Sequence, residues 1–349
     1  MVTLVTGFPG WLGTRLVQAL LDGLPDLPAF AQPDGTRRIR CLAQPGADLS
    51  GLDALTCRVE ICRGNLSDPD ALRQFCKDAE GATLFHCAGL VHPHNRVREH
   101  FVVNVDGSQR LLQAAEAAGV RRVILVSSIA ALGDNPHHDH IFDESSPYHP
   151  YRSYGRSKML MEQAAREFQA RGKIETVIVR PPWFYGPNQP PRQTFFFQMI
   201  KNGVFPLPGD GENRRSMGYV DNTCQGLLLC ERVPEATGQT YCIADRRPYS
   251  MNEIVATVER LLEAEFSIPV THKRMRLPNL TGEIAMYADG FLQRLGIYQQ
   301  KIHVFSEMNK TLACSIAKAE KELGYAPKIE LEEGMRRSIA WVIDNGYKI

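Results

Sequence analysis

Tyr154 and Lys158 stand four residues apart in YGRSK, at the head of a run, SKMLMEQAAREFQ, whose apolar residues recur at helical intervals. On one helix the two side chains share a face. Ser128, in SSIAALG, closes a strand-like run 26 positions earlier. A phenol, an ammonium and a hydroxyl in this order can move a proton on and off a carbon-bound oxygen. Tyrosine ionises near pH 10 in water, so service as a base near pH 7 requires about 4 kcal/mol of help. A nearby ammonium supplies part of it by stabilising the phenolate, and Ser128 would hold the reacting oxygen by a hydrogen bond.

The chain opens MVTLVTGFPGWLG, with Gly7, Gly10 and Gly13 between an apolar strand-like run and the helical LGTRLVQALL. Alone, such a triplet is equally a tight strand-to-helix turn. Glycine there also lets the backbone approach a pyrophosphate, which the free N–H groups of the following helix would hold. The spacing is G-x-x-G-x-x-G, not the commoner G-x-G-x-x-G of dinucleotide sites. Followed by Ser128, Tyr154 and Lys158, the turn reads as a nicotinamide dinucleotide site, and an oxidised nicotinamide ring would add positive charge beside the phenol.

These groups need a scaffold. Strands are expected at Thr3–Thr6, Ile39–Ala43, Val59–Cys62, Thr83–Cys87, Arg122–Ser127 and Glu175–Arg180. Helices are expected near Leu12–Leu21, Asp68–Asp78, Arg98–Ala118 and Tyr154–Arg171. The alternation predicts an α/β fold: a Rossmann-type doubly wound parallel sheet, with ligands beyond the carboxyl ends of its strands. Gly23–Arg38, with three prolines, reads as an elongated surface loop. After Arg180 the chain turns proline- and aromatic-rich, and short helices follow at Met251–Ala264, Ile316–Leu323 and Leu331–Asn345, making a smaller C-terminal α/β substrate domain.

The 349 residues can bury a large core. Lys plus Arg (40) balances Asp plus Glu (39), so no global field favours nucleic acid. No apolar run reaches membrane-span length, and the short N-terminal apolar stretch does not read as a signal peptide. Nine scattered cysteines, several in apolar strand-like runs, predict a reducing, cytoplasmic setting. Cys57 and Cys62 have no second pair at matching spacing. HPHNRVREH (92–100) and NPHHDH (135–140) hold histidines without a fixed helical or strand spacing, so they read as cleft-rim side chains, with His138 and His140 open to a ligand role, and no metal is expected.

On these motifs the chain resembles the extended short-chain dehydrogenase/reductases, the NAD-dependent epimerase/dehydratase superfamily, over essentially its whole length. TGFPGWLG resembles their TGxxGxxG turn, GNLSD their adenine-side GDxxD with Asn65 for the first Asp, FHCAG their fourth-strand motif, NVDGSQRLL their Asn-bearing helix and YGRSK their YxxxK. The resemblance implies catalytic roles for Ser128, Tyr154 and Lys158, with Asn104 supporting the lysine through water. It implies cofactor contacts at Gly7, Phe8, Pro9, Gly10, Trp11, Leu12, Gly13, Gln44, Asn65, Leu66, Cys87, Ala88, Gly89, Tyr154, Lys158 and Pro181. Ser128, Trp183, Phe184 and Arg215 would meet a small-molecule substrate. RPPWFYGP (180–187) and MGYVDN (217–222) resemble the segments that open the substrate pocket and return to the nucleotide domain. They divide the chain into 1–186 with about 216–245, and 187–215 with 246–349. Family members pair two helices per subunit, so Arg98–Ala118 and Tyr154–Arg171 would form a homodimer.

Within the family, Ile129 and Ala130 follow Ser128 where dehydratases carry an Asp-Glu pair, so dehydration is not expected. Trp183 stands where sugar-nucleotide enzymes usually place Asn, and SSIAALGDN and RPPWFYGP look more like the 3β-hydroxysteroid dehydrogenase and β-hydroxyacid reductase branch. The expectation is therefore reversible oxidation of a secondary alcohol to a ketone. Arg215, six residues before Asp221, keeps a nucleotide-sugar epimerase open as the alternative. A non-catalytic nucleotide-binding scaffold is a third reading. At the end of the second strand Ala43 and Gln44 offer neither acid nor base, while Arg38, Arg40 and Arg63 lie close in sequence, so both NAD and NADP remain open. Phe195–Phe197 would suit an apolar substrate or a domain core.

Overall fold

The computed structural model describes residues 2–32 and 35–349. Its strands are β1 (Val2–Thr6), β2 (Arg38–Ala43), β3 (Glu60–Arg63), β4 (Thr83–His86), β5 (Arg122–Val126), β6 (Glu175–Arg180), β7 (Trp183–Tyr185), β8 (Pro206–Pro208), β9 (Arg214–Arg215), β10 (Met217–Tyr219), β11 (Thr240–Cys242), β12 (Tyr249–Ser250) and β13 (Met275–Leu277). Its helices are α1 (Trp11–Asp22), α2 (Asp53–Thr56), α3 (Pro69–Phe75), α4 (Arg98–Phe101), α5 (Ser108–Ala117), α6 (Arg152–Ala170), α7 (Pro191–Lys201), α8 (Val220–Arg232), α9 (Met251–Ala264), α10 (Asn279–Arg294), α11 (Gln300–Glu307), α12 (Ala317–Leu323) and α13 (Leu331–Asp344).

Seven strands make one parallel sheet in the order β3-β2-β1-β4-β5-β6-β11. VTLVT and RVILV are buried along their whole length, as strands covered on both faces must be. The chain leaves β1 toward β2 and returns on its other side as β4, with Val5 opposite both Cys41 and Phe85. That reversal opens a crevice beyond the carboxyl ends of β1 and β4. The sheet and the expected six strands agree with the sequence reading, as do α1, α3 and α6. β11 was not expected: three residues carry no readable period.

One face packs against α1, α8 and α12 through Leu16, Val17, Leu20, Leu227 and Leu323, the other against α3, α5 and α6 through Leu72, Phe75, Leu111, Met161 and Phe168. A third core joins α7, α9 and α13 through Phe196, Phe197, Ile254, Val258, Leu261 and Ile339. Cys314, Ile316, Ala319, Leu323 and Tyr325 return to the sheet's own core.

Three expectations are corrected. Arg98–Ala118 is not one α-helix: a π turn, Val102–Gly107, widens it between α4 and α5 and turns Asn104 inward. The proline-rich stretch after Arg180 contains α7, because Pro191 starts it where no backbone N–H is needed. Gly23–Arg38 is not simply a surface loop, since Leu24, Leu27 and Phe30 are buried around the short turn Pro28–Phe30; its positions 33 and 34 lie outside the described residues.

Candidate active site

The glycine turn is built by close approach. Gly7 has φ +86°, and a Cβ there would lie 2.7 Å from the backbone of Cys87 and Ala88; a Cβ on Gly10 would lie 2.7 Å from the Gly7 carbonyl, and one on Gly13 would strike it too. So β1's turn nests against the end of β4. α1 begins with no side-chain cap and no acid in its first turn, which leaves its first amides for an anion. Phe8 and Leu12 point into the core and can offer only backbone. Trp11 ties the turn to the 183–187 segment, donating from Nε1 to the Pro187 carbonyl at 2.7 Å and meeting the Phe184 ring edge-on at 6.2 Å.

Ser128 is extended at the end of β5 and caps a short 3-10 turn, its Oγ accepting from the Ala130 amide at 3.2 Å. α6 reaches this turn because Gly155, beside Tyr154, lacks a Cβ that would strike the Ala130 carbonyl. The Tyr154 phenol thereby meets the Ser128 hydroxyl. Burial pushes the phenol up to about 12; the bond with Ser128 and the charge of Arg192 pull it down, and Glu307 opposes them. Lys158, one turn on, is buried, and its Nζ donates to the Val126 carbonyl at 2.9 Å. Burial lowers that ammonium to about 8, against the charge of Glu162. Arg192, which the sequence reading did not single out, is the cation whose charge lowers the phenol.

Asn104 is fully engaged. Its Nδ2 donates to the Leu90 carbonyl and to Ser157 Oγ, both at 2.9 Å, and its Oδ1 accepts from the Leu90 amide at 2.8 Å. It thus fixes the loop carrying Gly89, where a Cβ would sit 3.0 Å from Lys158 Nζ and 3.6 Å from Asn104 Oδ1. Beneath lies a chain the sequence reading missed: Thr6 Oγ1 to His86 Nδ1 and His86 Nε2 to Ser108 Oγ, each 2.8 Å, and Ser108 to the Asn104 carbonyl. Burial holds His86 neutral, at about 3.

Also missed was Glu162, one turn past Lys158 and wholly buried. It accepts from Ser127 Oγ and Tyr148 OH, both at 2.6 Å, and pairs with Arg180. SKMLMEQAAREFQ shows a Glu there, but its partners come from β5, β6 and a loop.

Around the phenol, the His100 ring centroid lies 5.8 Å from that of Tyr154, and His92 Nδ1 meets Tyr298 OH at 2.7 Å. Trp183 is half-buried against Phe196, while Phe196 and Phe197 belong to the small domain's core and Phe195 is exposed, which favours the packing reading of the aromatic run. Arg215 does not pair with Asp221, whose partner is Arg15; it reaches the Glu307 carbonyl, and its buried Nε has no partner. The Pro181 carbonyl accepts from the Ile129 amide at 3.2 Å. His138 and His140 meet Thr311 and Asn135, and among the described residues no three metal-binding side chains converge.

At the adenine end Leu66 is buried against Gly107, and Asn65 Oδ1 is engaged by Ser67. Gln44 is exposed, in a loop whose carbonyls at Gln44 and Ala47 accept from Arg63. Of the three arginines expected there, Arg38 begins β2 at the edge away from the crevice, and Arg40 is buried on the Phe75 and Lys77 carbonyls. Arg63 ends β3 beside the Gln44 loop, at the carboxyl edge of the sheet.

Glycine cradle, uncapped helix and Ser-Tyr-Lys set together fit a nicotinamide dinucleotide. Residues 3–244 match the model of the NAD dependent epimerase/dehydratase family, and the chain belongs to that family of extended short-chain dehydrogenase/reductase enzymes. It is 51% identical to an uncharacterized protein, y4nL, of Sinorhizobium fredii, over 99% of this chain and 96% of that one. It is 35% identical to sterol demethylase protein B of Methylococcus capsulatus over 99% of both chains. It is 30% identical to an N-acetyl-alpha-D-glucosaminyl-diphospho-ditrans,octacis-undecaprenol 4-epimerase of Escherichia coli O157:H7 over 69% and 71%. A crystal structure of DesIV, a dTDP-glucose 4,6-dehydratase of Streptomyces venezuelae with NAD and TYD bound, aligns over 99% and 98% with 26% identity and a TM-score of 0.72.

Proposed function

We propose that this enzyme interconverts a secondary alcohol and a ketone with NAD or NADP, Tyr154 acting as general acid/base. The observation that carries the reading is the Tyr154 phenol held close enough to the Ser128 hydroxyl to be pulled down by it, with Ile129 buried and Ala130 half-buried beside Ser128 where a dehydratase acid would stand. A nicotinamide bound over the glycine turn would supply the hydride acceptor for the alcohol carbon, or the donor for the ketone. Ser128 holds the alcohol oxygen, Tyr154 takes its proton, and Lys158 and Arg192 place positive charge where the phenolate forms. Asn104 positions Lys158 by holding the Gly89 loop. Trp183 and Phe184 supply an apolar wall, which suits a substrate of sterol type better than a sugar; the full-length likeness to a sterol demethylase protein supports the same class. Half-buried Phe101, Val102, Val103 and Val105 support a homodimer across α4, α5 and α6.

Arg215, buried with an unpartnered Nε, favours the second reading, a nucleotide-sugar epimerase. Mass spectrometry of the nucleotide released on denaturation separates the two. An oxidoreductase comes away empty and binds added NADH or NADPH exchangeably, whereas an epimerase, which regenerates its cofactor every cycle, retains NAD near stoichiometry.

A further inference from the structure

α10 carries large apolar side chains into solvent along one line: Leu280, Ile284, Tyr287, Phe291 and Leu295 are 57–73% exposed. Spacings of four, three, four and four put them on a single helical face. Met275, Ile297 and Val304 extend the patch, each at least 38% exposed. The opposite face is committed. Asp289 and Gly290 are buried, Gln293 accepts from Ser153 Oγ at 2.7 Å, and the Met286 carbonyl accepts from Arg152 Nη2 at 2.6 Å. α10 therefore lies on the residues immediately preceding Tyr154, with its apolar stripe outward.

The stripe is rimmed by positive charge. Lys273, Arg276, Arg294 and Lys301 are exposed around it, and Arg96 and Arg98 join from the segment that bridges to Ile297. Between residues 271 and 301 the acids are Asp289, which is buried, and Glu283, which is exposed. A second copy of this chain would bring like charges together around the same stripe. An anionic lipid surface would complement the rim and receive the stripe, as interfacial amphipathic helices do.

We infer that α10 docks the enzyme in-plane on an anionic bilayer surface, holding the Tyr154 crevice beneath it so that an apolar substrate enters from the lipid. No helix among the described residues is long and apolar enough to cross a membrane, so the attachment is peripheral. The docking goes beyond the reaction proposed above and is read by binding, whatever alcohol is oxidised.

The test is co-sedimentation of the full chain with vesicles of phosphatidylcholine, and of phosphatidylcholine containing one third phosphatidylglycerol, alongside size-exclusion light scattering. The protein is expected to sediment with the anionic vesicles, to be released by high salt, and to lose at least tenfold in partitioning in Ile284→Glu/Phe291→Glu, with unchanged Tm and nicotinamide-dinucleotide affinity. Failure of the wild type to sediment would overturn the inference, as would undiminished binding by the double variant. So would a dimer that the double variant dissolves, since the stripe would then belong to a second copy.

Discussion

Arg180 closes on Glu162 inside the protein, Nη2 to Oε2 at 2.7 Å, with both side chains at or below 1% exposure. Ser127 and Tyr148 complete the carboxylate's bonds, so Glu162 welds the ends of β5 and β6 to α6 and fixes the residue next to Ser128. Arg180→Met leaves the buried carboxylate with only the longer Arg166 contact, at 3.9 Å, as its ion pair. It should cost about 3–5 kcal/mol in urea unfolding, and Arg180→Met/Glu162→Met should cost clearly less than the sum of the single changes.

The Tyr154 phenol titrates from a value raised by burial to about 12 in the free enzyme. Alcohol oxidation needs the phenolate, so kcat/KM should rise with pH toward an apparent pKa set by bound cofactor and neighbouring charge; ketone reduction should fall over the same range. Removing the Arg192 cation raises that pKa. Arg192→Gln should shift the oxidation profile to higher pH, and a pH–rate series for the two proteins checks it. Tyr154→Phe should lower kcat by at least about 10²-fold with NAD(P)H binding retained.

Arg63 is the arginine proposed to meet a 2′-phosphate, because Arg38 starts β2 at the opposite end and Arg40 is buried on backbone carbonyls. Arg63→Ala should weaken NADPH binding roughly tenfold, the worth of a charge-assisted hydrogen bond, and leave NADH nearly unchanged. Fluorescence titration with both nucleotides measures it.

His303 supports the α10–α11 hairpin, meeting Asp289 at 2.9 Å with both side chains buried. Burial disfavours its charge, but the bond to Asp289 and the carboxylates of Glu307 and Asp289 outweigh burial and nearby Arg152, and the imidazolium's pKa is raised. The sign follows: its contribution is complete below the unfolded value near 6.5 and is lost as pH rises through the folded value. Exchange protection in 279–307, taken relative to the intrinsic amide rate at each pH, should fall as pH rises above about 6.5, and His303→Gln should remove most of that fall.

The sheet, the glycine turn and the shared helical face of Tyr154 and Lys158 were legible because they rest on local signals: apolar runs of strand length, three glycines at intervals of three, and a four-residue spacing on one helix. Partnerships were not. Glu162, His86 and Arg192 acquire meaning only from residues brought across the sheet or the cleft, and no spacing announces such contacts. The π turn at Asn104 was invisible because NVDGSQRLL has an ordinary helical composition.

The central claim, net oxidation of a secondary alcohol through Tyr154, is tested most directly by absorbance at 340 nm. The purified enzyme is incubated with NAD⁺ or NADP⁺ and a panel of 3β-hydroxysteroids and β-hydroxy acids, with Tyr154→Phe as control. Substrate-dependent, multiple-turnover accumulation of reduced nucleotide that disappears in the variant is the predicted result. No accumulation with any alcohol, together with Tyr154-dependent inversion of a nucleotide sugar's hydroxyl, would contradict it.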